Sequence, residues 1–266
     1  MQHNPQVSDS PESKESVKKL PLQRWLWGSY LRAALIPLLV IELSFLGIYW
    51  LTNLITYRDT VETVRQVSSD YLGDVSQREA LAISNELRGV SEQTQLFANQ
   101  ALRALNGNYD PPASEKQRHA RRPDGAFISL YDNGTTASFY SGIMPIGPEE
   151  IRKVWRLSVL DPLMIDIKET SHLVSSIYFN TFDSYNRIYP YFRVTDQYPA
   201  KMNIPTYNFY YEADARHNPE RKPVWTEAYV DPAGHGWMVS SVAPVWRGNK
   251  LEGVVGIDVT LEAIIK

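Results

Sequence analysis

The sequence predicts an α+β protein with a transmembrane helix, a long extracytoplasmic helix, and then a module built on an antiparallel sheet. Three observations lead there. Residues Ala33–Ile55 form an apolar run with one charge, Glu42. From Thr56 to about Leu105 there is no proline, and apolar residues recur at helical spacing. After that point the apolar period drops to two, with hairpin turns between the runs.

Averages alone would suggest something plainer. The 266 residues are 43% hydrophobic, with a net charge of -3 and a mean hydropathy of -0.33. Lys and Arg number 27 against 30 Asp and Glu, so no global basic field points to nucleic acid as a partner. There are 0 cysteines, which excludes disulfides, thiolate metal sites, iron–sulfur clusters and thiol catalysis.

The apolar run is about 23 residues, enough to span a hydrocarbon core of roughly 30 Å. Trp25, Trp27 and Tyr30 precede it and Tyr49, Trp50 and Tyr57 close it, as aromatic belts do at membrane surfaces. It is too long for a cleaved signal peptide, and no small-x-small site follows. Lys14, Lys18, Lys19, Arg24 and Arg32 lie before it, and only Arg58 and Arg65 lie shortly after. That asymmetry places the N-terminus in the cytoplasm and the rest outside, which in a bacterium is the periplasm. The Ser-rich opening stretch reads as a disordered tail. Glu42 fits either a helix–helix contact or a tolerated neutral acid.

The long helix carries a stripe of Ile83, Leu87, Val90, Phe97, Ala101 and Leu105, with Thr94 in the gap. A second stripe, Val61, Val64, Val67, Tyr71 and Val75, is offset from it near Ser76, where a stutter is expected. Either stripe fits packing on its own domain or on a second protomer. Asn106-Gly-Asn and Asp110-Pro-Pro end the helix. Arg118 to Arg122 reads as a basic loop in solvent.

Strands are expected at Ala126–Tyr131 and Thr135–Tyr140 around an Asp132-Asn-Gly turn, then a helix from Gly147 to about Leu160. Further strands are expected at Val174–Thr181, Pro223–Val230, Gly236–Trp246 and Leu251–Thr260, with turns at Asp231-Pro-Ala-Gly and Arg247-Gly-Asn. Pro205–Ala213 reads as a short helix or turn. About 160 residues are ample for one core.

Enzyme signatures are absent: there is no Walker A loop, GxSxG elbow, HExxH or dinucleotide fingerprint, and the five histidines lack metal-ligand spacing. No catalytic residue, metal or cofactor is therefore expected. Aromatic and acidic residues crowd between Tyr178 and Trp246 instead. Trp225, Glu227, Tyr229 and Asp231 would share one face of a strand at period two. Rings there can wall a small polar or cationic ligand while the acids anchor its donors. The same pattern also suits a sheet face packed with aromatics whose acids reach solvent.

At these residues the chain resembles the double Cache family of PAS-like extracellular sensor domains. The resemblance rests on Phe209-Tyr-Tyr-Glu-Ala, Trp225-Thr-Glu-Ala-Tyr-Val-Asp, and Met238-Val-Ser-Ser-Val-Ala-Pro-Val running to Gly253-Val-Val-Gly-Ile-Asp-Val-Thr-Leu. It implies a membrane-distal module in which Tyr210, Tyr211, Tyr229, Asp231 and Asp258 surround a small molecule, and Trp225 of the strand face is expected to join them. Family members that bind amino acids hold the carboxylate with an arginine two residues before the aromatic pair. Here that position is Asn208, which shifts the expected ligand toward an amine or another small polar metabolite; Arg187, Arg193 or Arg216 could substitute.

The organisation expected is a tail over 1–30, a transmembrane helix over 31–56, a signalling helix over 57–106 and a Cache module over 107–266. A homodimer in the membrane is expected, with a cytoplasmic output domain beyond Lys266. The rival readings are an envelope sugar-binding or adhesion module, and a tethered hydrolase using Glu227 with Asp231.

Overall fold

The computed structural model describes residues 22–231, 234 and 236–265. Most of the expected N-terminal tail, and Pro232, Ala233 and His235 around the expected turn, lie outside the described residues. The chain divides into two compact units, residues 1–76 and 77–266. The division falls at Ser76, where the two apolar stripes are offset.

Helix α1 (Leu22–Asn106) is 85 residues long and includes Pro37. In the first unit it supplies a stretch with mean hydropathy 2.0, none of it buried inside the molecule. That exposure contradicts a soluble core helix and suits a segment whose apolar surface meets lipid.

The second unit holds the rest. After the end of α1 come α2 (Ala113–Gln117), β1 (His119–Arg121), β2 (Phe127–Ser129) and β3 (Ala137–Tyr140). Next are α3 (Pro148–Leu157), a 3-10 turn, α4 (Asp161–Thr170), β4 (Val174–Thr181) and β5 (Tyr185–Tyr189). An irregular segment contains α5 (Asn208–Tyr211), and β6 (Val224–Trp225), β7 (Tyr229–Val230), β8 (Trp237–Arg247), β9 (Lys250–Thr260) and α6 (Leu261–Ile265) complete the chain. All strand pairs are antiparallel, in the order β1-β2-β3-β5-β4-β9-β8-β6, with β7 also on β8.

Both faces of this sheet are covered, so its central strands are buried almost without interruption, polar residues included. On one face Val90, Phe97, Ala101 and Leu105 of α1, with Leu157 of α3 and Met164 of α4, pack on Ile177, Phe179, Val255 and Ile257. The stripe read from Val90 onward therefore packs on its own domain. Thr94 fills its gap by donating to Ser241 Oγ of β8 at 2.9 Å. On the other face the irregular segment, through Val194, Met202, Ile204 and Phe209, covers Tyr178, Ile188, Val242 and Val254.

Three expectations need correction. Arg118 to Arg122 is not a solvent loop throughout: it contains β1, and Arg118 is fully buried, forked onto Glu115 at 2.9 and 3.0 Å. Long-range pairing supplies that burial, with the carboxylate at hand to receive the charge. Helix α4 and strand β5 were not anticipated. The single strand expected at Pro223–Val230 is two short ones, because Thr226 Oγ1 accepts from Ser240 N at 3.0 Å while Thr226 N donates to Ser240 O at 2.9 Å.

Candidate ligand-binding site

That break rearranges the faces. Trp225 pairs with Ser241 and Tyr229 with Met238, so four steps on one strand match three on the other. One extra residue reverses the alternation. Trp225 thus turns to the helix face, beside Ile83 and Leu87 of α1, while Tyr229 turns to the opposite one. The reading that put both on one face fails for this reason.

Tyr229, Asp231 and Asp258 line one cleft. Its floor comes from the sheet, with Tyr178 and Asn180 on β4 and Asn186 and Ile188 on β5. Its roof is Tyr198 and Phe209 of the irregular segment. It has room for about one water molecule.

Asp258 is 3% exposed. Ser240 Oγ donates to its Oδ1 at 2.5 Å, Tyr229 OH reaches the same oxygen at 3.4 Å, and Ser176 Oγ donates to Oδ2. Among the described residues no cation pairs with it. Burial pushes its carboxyl up to about 7; the Ser176 and Ser240 hydrogen bonds pull the other way, and neighbouring Asp231 adds to the rise. Burial likewise pushes the phenols of Tyr178, Tyr198 and Tyr229 well up, so all three remain neutral donors.

Gly256 explains how Tyr178 lies flat across the floor. A Cβ there would come within 2.1 Å of Tyr178 Cζ and 2.2 Å of its hydroxyl oxygen, so only glycine leaves room for the ring.

The remaining sequence candidates stand elsewhere. Tyr210 is buried behind the roof with its hydroxyl unpartnered, and Tyr211 is on the surface against His217. Phe209, their neighbour, is the aromatic that faces the cleft. Glu227 is exposed and does not line it, which removes the Glu227–Asp231 carboxylate pair. Asn208 bonds Phe209 N and Glu227 O, outside the cleft. Arg187 points to the helix face, bonded to Asp161 at 2.5 and 2.6 Å, and Arg193 and Arg216 are on the surface. Sequence reasoning missed Tyr178, Asn180, Asn186, Ile188 and Tyr198. The signal available for four of them was the alternation of β4 and β5, had β5 been recognised.

An antiparallel sheet backed by a long helix, with a small polar cleft under an irregular cover on its other face, resembles a PDC, or Cache-like, fold. Residues 163–266 match the family model for the methyl-accepting chemotaxis protein-like, first PDC sensor domain. Over those residues the chain is similar to a PDC sensor domain of the chemoreceptor kind. No curated protein sequence matches the chain.

Solved structures with a similar fold include ligand-binding domains of Pseudomonas aeruginosa PAO1 amino acid chemoreceptors. PctB in complex with L-Arg is 18% identical, over 74% of this chain and 59% of that one, with a TM-score of 0.44. PctC in complex with GABA is 19% identical, over 73% and 65%, with a TM-score of 0.42. The sensory domain of the Campylobacter jejuni chemoreceptor Tlp3 with isoleucine bound is 13% identical, over 74% and 64%, with a TM-score of 0.40. The chain spans about three fifths of the length of these domains.

Proposed function

We propose that the protein is the membrane-anchored input part of a bacterial receptor and that its periplasmic cleft binds a small amine. The observation that carries this is Asp258, a buried carboxylate held by hydroxyl groups and facing a cleft shared with Asp231 and Tyr229. An ammonium group between the two acids supplies the positive charge that burial otherwise opposes. The aromatic rings of Phe209 and Tyr229, tilted together at 5.7 Å, wall the adjoining alkyl chain.

Entry of such a molecule requires the roof to draw back from the sheet, and closure over it selects one packing of the second unit. Helix α1, anchored through residues 31–56 with the N-terminus in the cytoplasm, carries the change as a displacement of about 1–2 Å within a homodimer toward a cytoplasmic output domain. Covalent chemistry has no part in this role.

The test is a thermal-shift panel of amines, amino acids, organic acids and sugars on the full chain in detergent micelles. Amines should raise the melting temperature, and Asp258→Asn should abolish the rise. Stabilisation by sugars or organic acids alone would refute the reading.

A further inference from the structure

The far end of the cleft carries a polar feature that an ammonium site leaves unused. Asn180 and Asn186 stand opposite each other on β4 and β5, on the cleft face, 1% and 4% exposed. Asn186 Nδ2 donates to Asn180 Oδ1 at 2.8 Å, while Asn186 Oδ1 is buried with no hydrogen-bond partner. A buried carbonyl without a donor is unfavourable, and this one lines a cleft. If the two amides turn over together, Asn180 donates to Asn186 and the group left over becomes an N–H donor. In both arrangements Asn186 offers one neutral polar group.

The charge environment narrows what fits there. Strand alternation sends Arg187 to the opposite face, where Asp161 holds it. Among the described residues no Lys or Arg lines the cleft. A carboxylate at this end would be desolvated without a counter-charge, and a second ammonium would meet only neutral groups. Ser176, which faces Asp258, is four residues along β4 from Asn180, roughly 13 Å. A molecule touching both ends is therefore an extended chain of several atoms.

Resting on the amine reading above, we propose that the Asn180–Asn186 pair is the second half of the recognition site. It selects primary amines whose far end is an uncharged hydrogen-bonding group, a carboxamide or hydroxyl, over amino acids with a free carboxylate and over diamines.

Four probes matched in length test this by titration calorimetry on the full chain in micelles: 5-aminopentanamide, 5-aminopentanoate, pentylamine and 1,5-diaminopentane. The amide should bind about tenfold or more tightly than each of the others. Asn186→Asp, which adds an acid at the far end, should move the preference to the diamine. Equal affinity for amide and pentylamine, tighter binding of the carboxylate or diamine to the wild type, or an Asn186→Asp variant with unchanged preference would overturn the proposal. If pentylamine binds and Asp258→Asn abolishes it, the amine reading stands even when the far-end selectivity fails. If none of the four binds, or Asp258→Asn binds them unchanged, the amine reading falls and this proposal with it.

Discussion

Replacing Asp258 by Asn should make the empty protein more stable while removing its ligand. Folding raises the Asp258 carboxyl from 3.8 to about 7, mainly through burial. That difference of about three units corresponds to about 4 kcal/mol at 1.36 kcal/mol per unit. The sign follows from proton binding: between about pH 4 and 7 the folded state holds a proton that the unfolded state has released. The contribution of this group to stability is full below about pH 4, declines as pH rises through 7, and is flat above. Asn has the same shape and does not titrate; one of Ser176 and Ser240 can accept from its amide N–H while the other donates to its carbonyl oxygen. At pH 8 the variant should exceed the wild type by up to about 4 kcal/mol, or about 8–16 °C in melting temperature for a domain of this size. Toward pH 4 the gap should close. Calorimetric melts of both proteins across that range provide the measurement. A gap that stays constant with pH, or a wild type more stable at pH 8, would refute the burial argument.

The same group sets three further expectations together with its surroundings. Amine affinity should fall about tenfold per pH unit below about 7, where Asp258 is protonated, and level off above; calorimetry in buffers of different ionisation enthalpy should detect the released proton, and a flat profile from pH 5 to 8 contradicts this. Gly256→Ala should destabilise the second unit by about 1–3 kcal/mol and weaken amine binding, because its Cβ displaces the Tyr178 ring; unchanged melting and affinity would show the ring can yield. Arg187→Met should lower stability by about 3–5 kcal/mol by leaving Asp161 buried without its charge partner, yet leave amine affinity intact in protein that remains folded. Denaturant melts and binding titrations of that one variant separate the two effects.

Local pattern carried much of this fold. The strand expected at Val174–Thr181 has those bounds in the structure, and the long helix ends one residue beyond Leu105. These elements are specified by residues near one another in sequence. Arg187 was illegible because its burial depends on Asp161 of α4, 26 residues away. Arg118 was illegible because, although Glu115 is only three residues off, its burial also needs the distant Thr136 carbonyl. In the cleft, Tyr229, Asp231 and Asp258 come together as their motif suggested. Trp225 leaves because a one-residue bulge, made by the Thr226 side chain, has no signature in apolar periodicity. Tyr178 and Asn186 went unseen for a different reason: they look like ordinary strand residues until the sheet order is known.

Ser240 and Ser241 are consecutive on β8. The first hydroxyl donates to Asp258 in the cleft, and the second accepts from Thr94 of α1. Their Cα atoms are about 3.8 Å apart, joined by one planar peptide. The hydroxyl that holds Asp258 and the hydroxyl that holds the helix thus lie on opposite faces of the sheet, at the two ends of one peptide unit. A rotation of that peptide would tilt both hydroxyls at once, so a shift at Asp258 and a shift at Thr94 are linked through a single backbone unit.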